Sequence, residues 1–150
     1  MKRIYALIVA LVSLAPTLAL ADDITGDWEG WSCGVEDSYD CPETTGYFDN
    51  YSYLHFGRNP KRGGNTAIWQ YDGFSCTSNL TYVSDIGSGV IGSYHYWEFN
   101  DSSQNGCLPG KVVVAVKVGT NEPIQVWWYA NNPADSISNT FGYLDRTLQP

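Results

Sequence analysis

Apolar residues follow two different patterns along this chain. Ile4–Leu20 is one apolar run, interrupted only by Ser13, Pro16 and Thr17. After Asp22 no such run returns, and no stretch keeps the three-to-four spacing of an amphipathic helix. Short bursts of alternation take its place. Ile24–Cys33 sets Ile24, Gly26, Trp28, Gly30 and Ser32 on one parity. Tyr47–Phe56 puts Tyr47, Tyr51, Tyr53 and His55 on one face and Phe48, Leu54 and Phe56 on the other. Asn65–Tyr71 centres on Ile68 and Trp69. Phe74–Val83 alternates Phe74, Cys76, Ser78, Leu80 and Tyr82. Val90–Phe99 sets Ile91, Trp97 and Phe99 against Tyr94 and Tyr96. Lys111–Val118 is rich in Val, Ile124–Tyr129 in Trp, and Thr140–Leu144 is a short last segment. Aromatic and β-branched residues suit a pleated, half-buried surface, so each burst predicts a strand.

Turn signals separate these strands: Asp72-Gly73, Gly87-Ser88-Gly89, Asn105-Gly106 and Gly119-Thr120-Asn121. Gly63-Gly64 reads as a further turn. About eight short strands with turns between them predict an all-β domain, a single small antiparallel barrel or, alternatively, a β-sandwich.

The ends of the chain favour the barrel. The first strand carries Gly26-Asp27-Trp28, a G-x-W, and the last is followed by Asp145-Arg146. This resembles the calycins, the lipocalin and avidin group of up-and-down barrels. In many of them the Trp of G-x-W packs at the closed end against an Arg from near the end of the chain. The resemblance implies such a structural pair for Trp28 and Arg146. Ile24-Thr25-Gly26-Asp27-Trp28 is similar to the opening strand of avidins. No later lipocalin motif and no avidin-like set of biotin-binding residues is present, so the resemblance concerns architecture and not ligand.

The leading apolar run has its own meaning. Lys2 and Arg3 precede it, Ala19-Leu20-Ala21 closes it, and Asp22-Asp23 follow. That order of positive start, apolar stretch and small residues predicts a secretory signal peptide over residues 1–21, removed in the mature protein. Residues 22–150 then form one domain, long enough for a real core. The expected address is periplasmic, with full secretion second. An eight-stranded membrane barrel would need about nine to eleven residues in each crossing strand. Several strands here are shorter and the chain ends in Leu148-Gln149-Pro150, so no membrane span is expected.

Charge narrows the partners. Without Lys2 and Arg3 six basic residues remain against 16 acids, a formal net charge of −10. Such a chain repels nucleic acid and anionic membranes. Nine of the 16 acids lie between Asp22 and Asp49, while Arg58, Lys61 and Arg62 form one basic group. All four cysteines, Cys33, Cys41, Cys76 and Cys107, belong to the exported part, which predicts two disulfides. Three pairings are open, and Cys33–Cys41 with Cys76–Cys107 joins near neighbours. A zinc site is disfavoured by the irregular spacing and the lack of C-x-x-C.

The aromatic load carries the binding expectation. Six Trp, ten Tyr and five Phe follow the leader, more large rings than a small barrel interior holds. Trp28, Phe48, Phe74 and Phe99 are expected in the core. Tyr51, Tyr53, Tyr94, Tyr96, Trp97 and Trp127 are the candidates for a recessed ligand-binding surface, with Trp127 and Trp128 on opposite faces of their strand. His55 and His95 share a Tyr-rich context and are read as two isolated histidines rather than a metal or acid–base pair. No G-x-S-x-G and no phosphate-cradling glycine loop is present, so no catalytic residue and no cofactor is predicted. Glu36, Asp37, Asp40, Glu43 and Asp49 offer oxygen ligands without a calcium-loop pattern, so no metal is assigned. The sequons at Asn50, Asn79 and Asn100 are read as chance matches.

The leading expectation is an exported barrel that binds a small apolar, aromatic or sugar ligand. The alternatives are a protein-interaction module, such as a secreted-enzyme inhibitor or envelope assembly factor, and a small glycan hydrolase acting through paired carboxylates.

Overall fold

The computed structural model describes residues 24–34, 50–71, 74–87, 92–104, 108–131 and 139–147. They form β1 (Gly26–Gly34), β2 (Asn50–Phe56), β3 (Asn65–Tyr71), β4 (Phe74–Ile86), β5 (Tyr94–Gln104), β6 (Gly110–Lys117), β7 (Ile124–Ala130) and β8 (Asn139–Arg146), with one 3₁₀ turn at Pro60–Arg62. Each strand pairs antiparallel with the next, and β8 returns to β1, closing the ring. The β1–β8 ladder decides for a barrel over a sandwich, because a closed sheet leaves no edge strand.

Alternation places the core. Trp28, Leu54, Phe56, Ala67, Trp69, Leu80, Phe99, Val112, Val114, Val126, Trp128 and Leu144 are all buried inside. The intervening positions face outward and include Asp27, Glu29, His55, Glu98, Lys111 and Gln125, all at least partly exposed.

One end is closed by the chain termini of the sheet. Trp28 is paired across the ladder with Arg146, whose guanidinium lies 4.3 Å from the indole centroid. Arg146 Nη1 donates to Thr25 O at 2.7 Å, and Trp28 Nε1 donates to Ile24 O at 2.8 Å. The expected contact between Trp28 and Arg146 is therefore present.

Several expectations change, among them β1, which runs Gly26–Gly34 and not Ile24–Cys33, and β8, which runs on past Leu144 to Arg146. β4 continues to Ile86, beyond Val83, and β5 starts at Tyr94 and runs to Gln104 instead of ending at Phe99. β6 ends one residue before Val118, where the turn begins, with Gly119 at φ 72. Phe74, expected in the core, is 49% exposed. It has inward parity but sits in the last pair of the β3–β4 ladder, opposite Tyr71, beyond the layer that Cys76 closes. Phe48, Asp72-Gly73, Asn105-Gly106, the acids from Glu36 to Asp49 and the leader lie outside the described residues.

Candidate functional site

The barrel interior is not uniform along its axis. Toward the Trp28 end, apolar inward positions are joined by Asn65 and His95, both buried and hydrogen-bonded. At the opposite end, where β1 finishes and β2 begins, the inward positions are Ser32, Ser52, Ser78, Asp101 and Thr140, all buried. Each follows from the parity of its own strand. Asp101, for example, continues the inward series Trp97, Phe99. Ser32 Oγ and Ser52 Oγ lie 3.0 Å apart across the β1–β2 ladder and satisfy each other.

Asp101 is the centre of this layer. It is 2% exposed, and its Oδ2 accepts two indole N–H groups, Trp69 Nε1 at 3.0 Å and Trp128 Nε1 at 2.9 Å. Its Oδ1 and the buried Ser78 Oγ have no hydrogen-bond partner. Ser78 lies near enough to influence the carboxyl without meeting it in bonding geometry. Burial pushes the Asp101 carboxyl up, against the opposing pull of Ser78, Trp128 and Trp69. A buried carboxyl oxygen left unmatched is costly, and the rotatable Ser78 hydroxyl is a donor beside it.

The raised acidity constant has a testable sign. A carboxyl whose folded pKa lies above its unfolded value contributes stability at low pH and loses it as pH rises. Asp101→Asn keeps an acceptor for the two indoles and removes the charge. Its stability relative to the native protein should therefore rise as pH is raised from about 4 toward neutrality. Urea unfolding of both proteins across that range checks this, and a difference that stays flat would sink it.

Room for Trp128 comes from Gly110 on β6. A Cβ there would lie 2.7 Å from Trp128 Cε2 and 2.4 Å from Tyr129 O. The indole thus lies against bare backbone, and its N–H is aimed at Asp101.

The six expected ligand residues are not brought together. Trp97 is buried inside the barrel, toward the Trp28 end. Tyr51 and Tyr53 stand on the outer wall of β2, Trp127 on that of β7, and Tyr94 and Tyr96 on that of β5, four strands around from β1. One recessed surface made of all six is ruled out by parity, since Trp97 and Tyr96 are sequence neighbours and point to opposite faces. Tyr51 donates to Glu29, and Tyr53 to Asp27 Oδ1 at 2.6 Å. Burial and then the Glu29 hydrogen bond push the Tyr51 phenol up to about 12. The Asp27 hydrogen bond and then burial do the same for Tyr53, also to about 12.

The two histidines are separate. His55 faces outward, 2.6 Å from Asp27 Oδ1. His95 lies inside, 3.0 Å from Asp85 Oδ2. A bulge between Tyr82 and Ser84 switches the parity of β4, so that Asp85 opposes the inward Trp97. Asp85 also meets Lys61 at 2.6 Å and accepts from Tyr82, and these partners with His95 hold its carboxyl down at about 2. This network ties the 3₁₀ turn to the closed end. Among the described residues no three His, Cys, Asp or Glu side chains converge as a metal site.

Sequence reading missed Asp101, Ser78, Trp69 and Trp128 as a group. One signal was available: with β5 extended past Phe99, Asp101 is the one acid on the inward series His95, Trp97, Phe99, Asp101. No family model, no curated protein and no solved structure matches this chain.

Proposed function

We propose that this chain is an exported small-molecule-binding barrel of calycin-like architecture, its ligand held at the polar end of the interior. The single observation that carries the reading is the bare Asp101 Oδ1 beside the bare Ser78 Oγ in a buried layer. Two indole donors fix the other carboxylate oxygen, so the carboxyl is pre-oriented before any ligand arrives. The ligand class that fits is uncharged, with an N–H or O–H to give Asp101 and an apolar body to lie against Trp69 and Trp128. An anionic ligand would meet the carboxylate with like charge. The periplasm or extracellular space is the compartment, on the strength of residues 1–21.

The test is a tryptophan-fluorescence titration of the mature protein with uncharged cyclic amides, ureas and polyols. Saturable change is expected for at least one donor-bearing compound, weakened about tenfold or more in Asp101→Leu, since an unmet buried donor costs roughly 1–3 kcal/mol. If no such compound perturbs the signal, or if Asp101→Leu binds as well as the native protein, the reading fails.

The proposed staples are Cys33–Cys41 and Cys76–Cys107. No described cysteine is a free thiol; Cys41 and Cys107 lie outside the described residues, and the pairing rests on each link joining near neighbours in the chain. Peptide mapping of the unreduced protein should recover these two links. A Cys33–Cys76 peptide would overturn the pairing.

A further inference from the structure

We propose that the outer wall of β7, β8, β1 and β2 docks a basic protein segment, through Trp31 and Tyr143 stacked against its Arg or Lys side chains and Glu29 and Asp145 paired with them. This surface is separate from the interior site, and neither proposal depends on the other.

The first observation is a row of outward rings. Trp127 meets Phe141 with centroids 5.2 Å apart, and Phe141 meets Tyr143 at 5.0 Å. Trp31 meets Tyr51 edge-on at 5.5 Å. The pair Ser32–Gly142 sets Trp31 across the ladder from Tyr143, so the outward rings stand on four neighbouring strands. At its centre Trp31 is 55% and Tyr143 48% exposed. Three strand spacings make the row about 14 Å wide. Large rings held half in water at the centre of a patch are the usual anchors of protein interfaces.

The second observation is electrostatic. Glu29 and Asp145 are direct cross-strand partners on the same outer face, beside Trp31 and Tyr143. Like charges placed opposite each other weaken a sheet. No basic side chain pairs with either among the described residues, whereas Asp27, the neighbouring outward acid of β1, is paired with His55. Rings flanked by unneutralised carboxylates are complementary to Arg and Lys, whose planar or ammonium heads stack on aromatic faces and pair with acids.

The same charges argue against a second copy. A two-fold contact through this wall would set Glu29, Asp27 and Asp145 against their own equivalents on a chain of net charge −8. Anionic lipid and nucleic acid are repelled likewise.

The test is calorimetric titration of the mature protein with a synthetic peptide of alternating Arg and Gly, and with its citrulline counterpart. Binding of the Arg peptide is expected to weaken about tenfold or more in Trp31→Ala and in Glu29→Gln/Asp145→Asn. It should stay within about twofold in Glu98→Gln, which removes an acid on β5, four strands around from β1, and fall steeply with salt. Trp31 is largely exposed, so Trp31→Ala should keep the native near-ultraviolet circular dichroism. Equal loss in Glu98→Gln, equal binding of the citrulline peptide, or no loss in Trp31→Ala would overturn the proposal. Sedimentation showing a dimer that Trp31→Ala dissolves would also overturn it, assigning the wall to a second copy.

Discussion

Trp28→Ala should lower the unfolding free energy by about 3–5 kcal/mol, the range for deleting a large buried aromatic side chain. Trp28 is 3% exposed, and it joins the first strand to the last. Its loss opens a cavity at the end of the barrel and removes the ring beneath Arg146. It also frees Ile24 O, which the indole N–H satisfies at 2.8 Å. Arg146→Ala should cost less, roughly 0.5–2 kcal/mol for the cation–π contact, together with the hydrogen bond to Thr25 O. Chemical denaturation of the two single variants and the double variant measures the coupling. Because the groups touch, the double variant should lose less than the sum. Strict additivity would mean that the guanidinium and the ring are not energetically joined, and the closure argument would fail.

Gly110→Ala should destabilise the barrel by about 1–3 kcal/mol and disturb Trp128. The obstacle is mostly backbone. The added carbon would sit 2.4 Å from Tyr129 O, and Gly110 is held by pairing with both Asp101 and Ala130. The Trp128 ring, 2.7 Å away, would have to tilt, carrying its N–H off Asp101 Oδ2. Gly87→Ala is the control, since a Cβ there meets nothing within 4 Å. Thermal melts with tryptophan emission as the probe should show a lower midpoint and an altered folded-state spectrum for Gly110→Ala alone. If both variants behave alike, the close approach at Gly110 does not govern the site.

Much of the fold was legible in the residues. Each of the eight strands overlaps a burst of alternation, because a strand's two faces meet different solvents and select side chains accordingly. Boundaries were weaker. The alternation of large side chains stops at Phe99 and Asn100, Asp101, Ser102 and Ser103 are all polar, yet the β4–β5 ladder continues through them. Local polarity is a poor guide where cross-strand hydrogen bonds supply the stability. Parity also predicted that Trp127 and Trp128 part company, and they do. The candidate site was not legible. Asp101, Ser78, Trp69 and Trp128 come from four strands, and only their register brings two indoles to one carboxylate.

By itself the sequence determined an all-β domain of about eight strands and the faces of those strands, local properties set by period and residue type. The meeting of Trp28 with Arg146 was an expectation from the calycin resemblance, and period does not supply it. Ring closure through β1 and β8, the inward turn of Asp85 at the β4 bulge, the buried Asp101 and the outer aromatic row were decided only in three dimensions. They depend on register and curvature, which arise from pairing between segments distant in the chain.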